Sequence, residues 1–169
     1  DLSEPKLEPG YSILSVKRVG VCGTDIHAFA GNQPFFEYPR ILGHELAASI
    51  LETTDPGFEV GELVTLIPYF NCGDCVACNQ GKGNCCVRIK VYGVHIDGGL
   101  RQRIAVPNEY LIKAPGLDLD ALALVEPLSI GQHAVVRSGL KPGEFALVVG
   151  AGPIGLGLME MARLAGATV

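Results

Sequence analysis

The chain has 169 residues, 48% of them hydrophobic and 18% charged, with a formal net charge of −5. That length holds one or two small domains with a sizeable core, and the composition excludes a disordered chain. The acidic balance argues against a nucleic-acid or anionic-membrane partner, no apolar run reaches membrane length, and the opening residues do not read as a signal peptide.

The chain opens on Asp1 rather than methionine, so its start is read as processed or trimmed. Twenty-two glycines and 11 prolines, with no tryptophan, predict short strands and many tight turns. With no export signal a cytoplasmic location is expected, and there the six cysteines should be free or metal-bound rather than disulfide-bonded.

Taken in chain order, YSILSVKRV (11–19) alternates polar and apolar residues as a half-buried strand does. LAASILET (46–53), ELVTLI (62–67), VYGVHI (91–96) and QRIAVP (102–107) are predicted as further short strands between turn residues. After Pro115 the texture changes. DLDALALVEPL (118–128) is predicted helical, with Asp118 or Asp120 as N-cap, and SIGQHAVVRSG (129–139) as a second helix closed by Gly139. FALVV (145–149) reads as a buried parallel strand, and LGLMEMARLAG (156–166) as a helix ending at Gly166. A β-rich unit is thus followed by the opening of a βαβ unit.

Between that strand and helix, VVGAGPIGLG sets Gly150, Gly152 and Gly155 in G-x-G-x-x-G register. The pattern alone is weak, but strand before and helix after are the context of a dinucleotide-binding turn. Gly150 permits the turn, Gly152 lets backbone approach a pyrophosphate, and Gly155 lets the helix pack closely. The helix N-terminus offers N–H groups to phosphate, and Pro153 falls among first-turn residues that need no donor. The acidic residue that distinguishes NAD from NADP, about 20 positions further on, would lie beyond Val169.

VCGTDIH (21–27) and LGHELA (42–47) carry Cys22 and His44, borderline-soft ligands suited to zinc. Glu126 in VEPLSIG is the candidate third ligand, Glu45 an exchanging ligand or outer acid, and Asp25 a partner for the imidazole. Each also has a plainer role: Cys22 as a small buried hydrophobe, His44 as a core histidine, Glu126 as a helix-surface charge. His95 and His133 are assigned structural or surface roles.

NCGDCVACNQGKGNCC (71–86) holds the remaining five cysteines, with Cys72, Cys75, Cys78 and Cys86 spaced C-x2-C-x2-C-x7-C. Four thiolates so close in sequence suit a closed tetrahedral zinc site. An iron–sulfur cluster is the main rival, although the last gap and the missing trailing proline do not fit its usual run. Cys85 is the spare, able to replace Cys86 in a shorter spacing. A closed site leaves no position for substrate, so this stretch is expected to stiffen a lobe rather than react.

VGVCGTDIHAFAGNQPFFEYPRILGHE, the cysteine stretch, VEPLSIGQHAV and VVGAGPIGLG, in that order, resemble the zinc-dependent medium-chain alcohol and polyol dehydrogenases. Within that family the chain looks most like the sorbitol dehydrogenase branch, especially its bacterial L-galactonate-type sugar-acid dehydrogenases, from about Pro9 onward. The resemblance implies a β-rich GroES-like catalytic domain over 1–127 and the first strand and helix of a Rossmann α/β domain over 128–169, incomplete as it stands. It implies Cys22, His44 and Glu126 as catalytic zinc ligands, Glu45 beside them, and Thr24 and His27 as proton-relay positions. It favours Cys86 over Cys85 in a structural zinc site with Cys72, Cys75 and Cys78, and implies Gly150, Gly152, Pro153, Ile154 and Gly155 for NAD or NADP.

The implied reaction is reversible hydride transfer between a secondary alcohol of a polyol or sugar acid and the nicotinamide, in a homo-oligomer when full length. Two other readings compete. A zinc-free quinone-reductase-type enzyme on the same scaffold would lack Cys22, His44 and the cysteine cluster, and a zinc-binding module or inactive fragment would have no activity. Arg101 and Arg103 stand where family members often carry apolar or acidic residues, reflecting either surface charge or an altered interface.

Overall fold

The computed structural model describes residues 3–169, so Asp1 and the reading placed on it lie outside the described residues. The chain divides into two compact units, Asp1–Ala123 and Leu124–Val169.

The first unit contains strands β1 (Tyr11–Gly20), β2 (Glu45–Thr53), β3 (Leu63–Leu66), β4 (Tyr69–Phe70), β5 (Lys90–Val91), β6 (Arg103–Pro107) and β7 (Leu111–Lys113). Five of them form an antiparallel sheet in the order β6-β1-β2-β3-β7, and β4 pairs with β5. Alternation drives Leu14, Leu46, Ile50, Val64, Ile104 and Val106 into one core. Full burial of such a side chain contributes about 1.5–3 kcal/mol. β2 is covered on both faces at its start. Leu46 and Ala48 enter the core, while Ala47 points the other way against Leu122 of α2 (Leu119–Ala123). Asp118 is the N-cap of that helix, its Oδ1 accepting the Ala121 N–H at 2.8 Å.

Helix α1 (Gly23–Phe29) was not expected from the sequence and follows β1 directly. Three other expectations need correction. VYGVHI is not one strand: pairing stops at Val91, and Gly93, at φ 75°, turns the chain back so that its N–H bonds to Ile96 O at 2.9 Å. The helical run 118–128 breaks at Leu124, and α3 (Val125–Ser138) begins there rather than at Ser129. Pro127 is the cause. It has no N–H to give the Ala123 carbonyl four residues back, whereas in the first turn of a new helix none is required. The third correction concerns FALVV in the second unit, which is extended but not buried: Phe145, Leu147 and Val149 are 85%, 90% and 91% exposed. A parallel strand is buried by neighbours on both sides. This one has a single parallel bridge, Phe145 to Thr168, with Ala146 N–H bonded to Thr168 O at 2.8 Å.

Also in the second unit, α3 packs against α4 (Pro153–Leu164) at two glycines. A Cβ on Gly131 would stand 2.9 Å from the Leu158 nitrogen, and one on Gly157 would stand 3.2 Å from Leu128. Gly139, at φ 69°, ends α3 as predicted. Among the described residues no helix is long and apolar enough to cross a membrane. In the first unit, Arg101 donates to Ser3 O at 3.2 Å and Arg103 pairs with Glu4 at 3.1 Å. The two arginines therefore fasten the N-terminal segment.

Candidate metal centres

Two groups of metal-ligating side chains are present, and the fold assembles them differently. The first follows from strand register. β1 ends at Gly20 directly opposite Glu45, the first residue of β2. In an antiparallel pair, the residues just after one strand and just before its partner emerge at the same end. Cys22 and His44 are those residues. Their ligand atoms, with a carboxylate oxygen of Glu45, all lie within 4.8 Å of one another. His44 and Glu45 are buried, at 6% and 8% exposure, and Cys22 is half-buried.

Several neighbours fix this geometry. Gly20 leaves room for the Glu45 carboxylate, because a Cβ there would stand 2.1 Å from its Oε2. Gly43 takes φ 96°, a left-handed conformation costly for other residues, immediately before His44. The segment Asp97–Leu100 runs alongside residues 41–43. Gly98, Gly99 and Leu100 donate to Ile41 O, Gly43 O and Leu42 O at 2.7–2.9 Å. A Cβ on Gly98 would meet Gly43 O at 2.4 Å, so this close approach requires glycine.

The buried Asp25, at the third position of α1, joins the two loops. Its Oδ2 accepts the Cys22 N–H at 2.9 Å and its Oδ1 accepts the Gly43 N–H at 3.2 Å. Oδ1 also lies 3.8 Å from His44 Nδ1, within ion-pair range but longer than a hydrogen bond. The Cys22 thiol is held below its ordinary value, chiefly by a hydrogen bond with His44 and also by donors from Thr24, against the opposing effect of burial. That is the electrostatic setting of a thiolate ligand. Thr24 thus stands at the Cys22 sulfur, while His27, in the last turn of α1, is exposed. Glu126 is carried by α3 of the second unit and is 7% exposed.

The second group is local. Cys72, Cys75, Cys78 and Cys86 bring their sulfurs within 4.8 Å of one another. Separations of 3.5 Å (Cys72–Cys86), 3.5 Å (Cys75–Cys78) and 4.0 Å (Cys72–Cys78) bracket the edge of about 3.8 Å expected for sulfurs about 2.3 Å from one tetrahedral zinc. They are too long for disulfides, and all six cysteines are unpaired. A single ion therefore fits the donor set. Cys85 is exposed and stands outside it.

Backbone donors from Cys78 and Val87 lower the Cys75 thiol to about 6, and the Cys72 N–H leads in lowering Cys86. Cys72 moves the other way, raised to about 11 first by its hydrogen bond to Asp74. Tyr110 ties this lobe to the core: its hydroxyl accepts the Asn71 N–H at 3.1 Å and donates to Asn71 Oδ1 at 3.2 Å. Asn71 Nδ2 in turn points at Cys78 Sγ, at 3.6 Å.

The glycine turn of the second unit has the local geometry read from its sequence. Gly150 is at φ 110°, and a Cβ on Gly155 would stand 2.1 Å from Gly150 O. Gly152 is the N-cap of α4, where a Cβ would meet nothing within 4 Å, and Pro153 opens the helix. Ile154 is exposed in the first turn. His95 accepts the Val91 N–H at 3.0 Å, a structural role, and His133 is exposed on α3.

Sequence reasoning missed Gly20, the Asp97–Leu100 segment, and the outer residues Asn71, Arg88 and Tyr110. The paired glycines at 98 and 99, next to an aspartate, were the available signal for the second of these.

Residues 8–116 match the family model described as the alcohol dehydrogenase GroES-like domain. The chain is 49% identical over 160 residues to L-galactonate-5-dehydrogenase of Escherichia coli, covering 94% of this chain and 47% of that protein. It is 34% identical over 174 residues to sorbitol dehydrogenase of Bacillus subtilis, covering 98% and 49%. The chain spans about half the length of the curated relatives it matches. A solved structure from Sinorhizobium meliloti bound to NADP superposes with a TM-score of 0.93 at 35% identity, covering 99% of this chain and 49% of that one.

Proposed function

The chain belongs to the alcohol dehydrogenase GroES-like domain family, and from that membership we propose that it is the zinc-binding part of a nicotinamide-dependent dehydrogenase acting on a secondary alcohol of a polyol or sugar acid. The observation that carries the reading is the convergence of Cys22, His44 and Glu45 at one sheet end, apart from the closed four-sulfur group. A donor set with one thiolate, one imidazole and one carboxylate suits zinc with a position left for substrate. Glu126 is the carboxylate we assign as third ligand, with Glu45 beside it. The relatives' names, a sugar-acid dehydrogenase and a sorbitol dehydrogenase, support the substrate class.

Zinc held there would supply Lewis acidity toward an alcohol oxygen, and a bound nicotinamide would supply the hydride acceptor. Everything else falls to the chain. Asp25 holds the Cys22 and Gly43 backbones, fixing where Cys22 and His44 stand. In this reading Thr24, which adjoins Cys22, takes the hydroxyl proton, and His27 at the exposed end of α1 passes it to solvent. Gly150, Gly152, Pro153, Ile154 and Gly155 present the α4 N-terminus to the pyrophosphate of NAD or NADP. The four-sulfur group holds a second, structural zinc, and the full-length protein forms a homo-oligomer.

Zinc content and NAD(P)-linked oxidation of a polyol and sugar-acid panel, L-galactonate included, test this in the full-length protein. Two zinc ions per chain are expected. Cys22→Ala or His44→Ala should leave one and abolish turnover with the fold intact, and undiminished turnover in Cys22→Ala would sink the reading. His27→Ala should slow turnover mainly at low pH, where solvent base is scarce; an unchanged pH profile would remove His27 from the relay.

A further inference from the structure

We infer that Arg88 is a positioning residue for the four-sulfur centre, donating from backbone and side chain to two different sulfurs so that metal retention there depends on it. The inference rests on the reading that Cys72, Cys75, Cys78 and Cys86 hold zinc. Four thiolates around one divalent cation leave the centre two negative charges in excess. Such an excess weakens retention unless donors around the sulfurs disperse it.

The donors are visible. The Arg88 backbone N–H points at Cys86 Sγ at 3.3 Å, and its Nη2 at Cys72 Sγ at 3.4 Å. Those two sulfurs are themselves 3.5 Å apart, so one residue spans an edge of the ligand set. Cys86 receives a second backbone donor, the Cys72 N–H at 3.3 Å. Among the described residues Arg88 is the one cationic side chain seen hydrogen-bonded to a sulfur of this four-cysteine group; the neutral Asn71 amide serves Cys78.

Asp74 keeps the guanidinium in place. It lies between the ligands Cys72 and Cys75 in sequence, and its Oδ1 forms an ion pair with the same Nη2. A free surface arginine samples many rotamers, so this anchor lets an exposed side chain act on a fixed sulfur. The Arg88 side chain is 59% exposed, and solvent screening places its effect at the low end of the range for outer partners of metal ligands, which is about 10–100-fold in affinity.

The test uses the full-length protein in a Cys22→Ala background, where only the four-sulfur centre retains zinc. Release to a chromogenic chelator is followed in the parent, Arg88→Met and Arg88→Lys. Arg88→Met keeps the apolar stem and should release zinc about tenfold faster. Arg88→Lys restores a cationic donor and should bring the rate back toward the parent. With cobalt in place of zinc, Arg88→Met should shift the thiolate-to-metal charge-transfer band to lower energy while the tetrahedral ligand-field bands persist, which shows the site still folds. Release from Arg88→Met at the parent rate, or Arg88→Lys no slower than Arg88→Met, overturns the role of Arg88. A parent that binds no zinc overturns the four-sulfur reading beneath it.

Discussion

The two metal-ligating groups of this chain are built by opposite means. The cysteine group spans 15 residues of sequence, Cys72 to Cys86, in a lobe of 3₁₀ turns closed at its base by the two-residue strands β4 and β5. It contributes no side chain other than sulfur-bearing Cys75 and Cys86 to the buried apolar set between residues 71 and 90. The Cys22–His44–Glu45 group draws on two segments that meet because β1 and β2 pair in one register, with Leu14, Leu46 and Ile50 locking that register from the core. The cysteine group therefore has almost no apolar packing of its own to hold it together, while the other group is brought together by the sheet itself.

The largest expected effect breaks the first half of that contrast. Cys75 is buried, with its sulfur 3.5 Å from that of Cys78. Cys75→Ser should lose the structural zinc, whose binding is worth about 10–16 kcal/mol in isolated zinc-finger peptides. Amide protection should vanish across residues 71–86 and persist in β1 and β2, as read by hydrogen exchange. A lobe that keeps its protection without zinc would mean that its turns hold themselves.

Gly20→Ala attacks the second half. The new methyl would stand 2.1 Å from Glu45 Oε2 and 2.9 Å from its Cβ, a clash within the strand pair. A loss of about 1–3 kcal/mol is expected from such overpacking, measured as a fall in the unfolding midpoint. Zinc should loosen at the Cys22–His44 centre while the four-sulfur centre keeps its ion. Equal loss from both would show that the two regions are not independent.

This difference also decides what the sequence could reveal. The cysteine ligands were legible because their spacing is itself the site, and the glycine turn because Gly150 and Gly155 obey a local rule of φ and close approach. The strand at 11–20 was legible from alternation, and those at 45–53 and 103–107 as short runs bounded by turn residues. Cys22 and His44 were chosen by chemistry and family likeness, but their meeting depends on a pairing register that no spacing encodes. Gly20 escaped notice because its partner is 25 positions away, in another strand. VYGVHI misled because Gly93 reverses a run whose residue types suit a strand, and FALVV because its apolar content says nothing of how many neighbours flank it.

Asp25→Asn should have a smaller effect, confined to the first centre. The amide keeps the shape, but it has one acceptor oxygen where the carboxylate serves Cys22 N–H and Gly43 N–H with two. One of those donors would then face an NH2 group. Zinc affinity at this centre should fall about 10–100-fold, as for other outer partners of metal ligands, in competition with a chelator of known strength. Unchanged affinity would move the task of aligning the two loops from Asp25 to the Asp97–Leu100 ladder.

The smallest effect probes the support behind the sheet. Asp118 caps α2 through the Ala121 N–H, and α2 sets Leu122 on Ala47, three residues beyond His44. Asp118→Ala should cost about 1 kcal/mol, the usual value of an N-cap, seen as a lower denaturant midpoint with an unchanged slope. Both zinc ions should stay, because Leu46 and Ile50 hold β2 from its other face whether or not the helix end frays. Faster zinc release from the Cys22–His44 centre alone would place α2 among its supports, and the register of β1 on β2 would then not suffice to preform it.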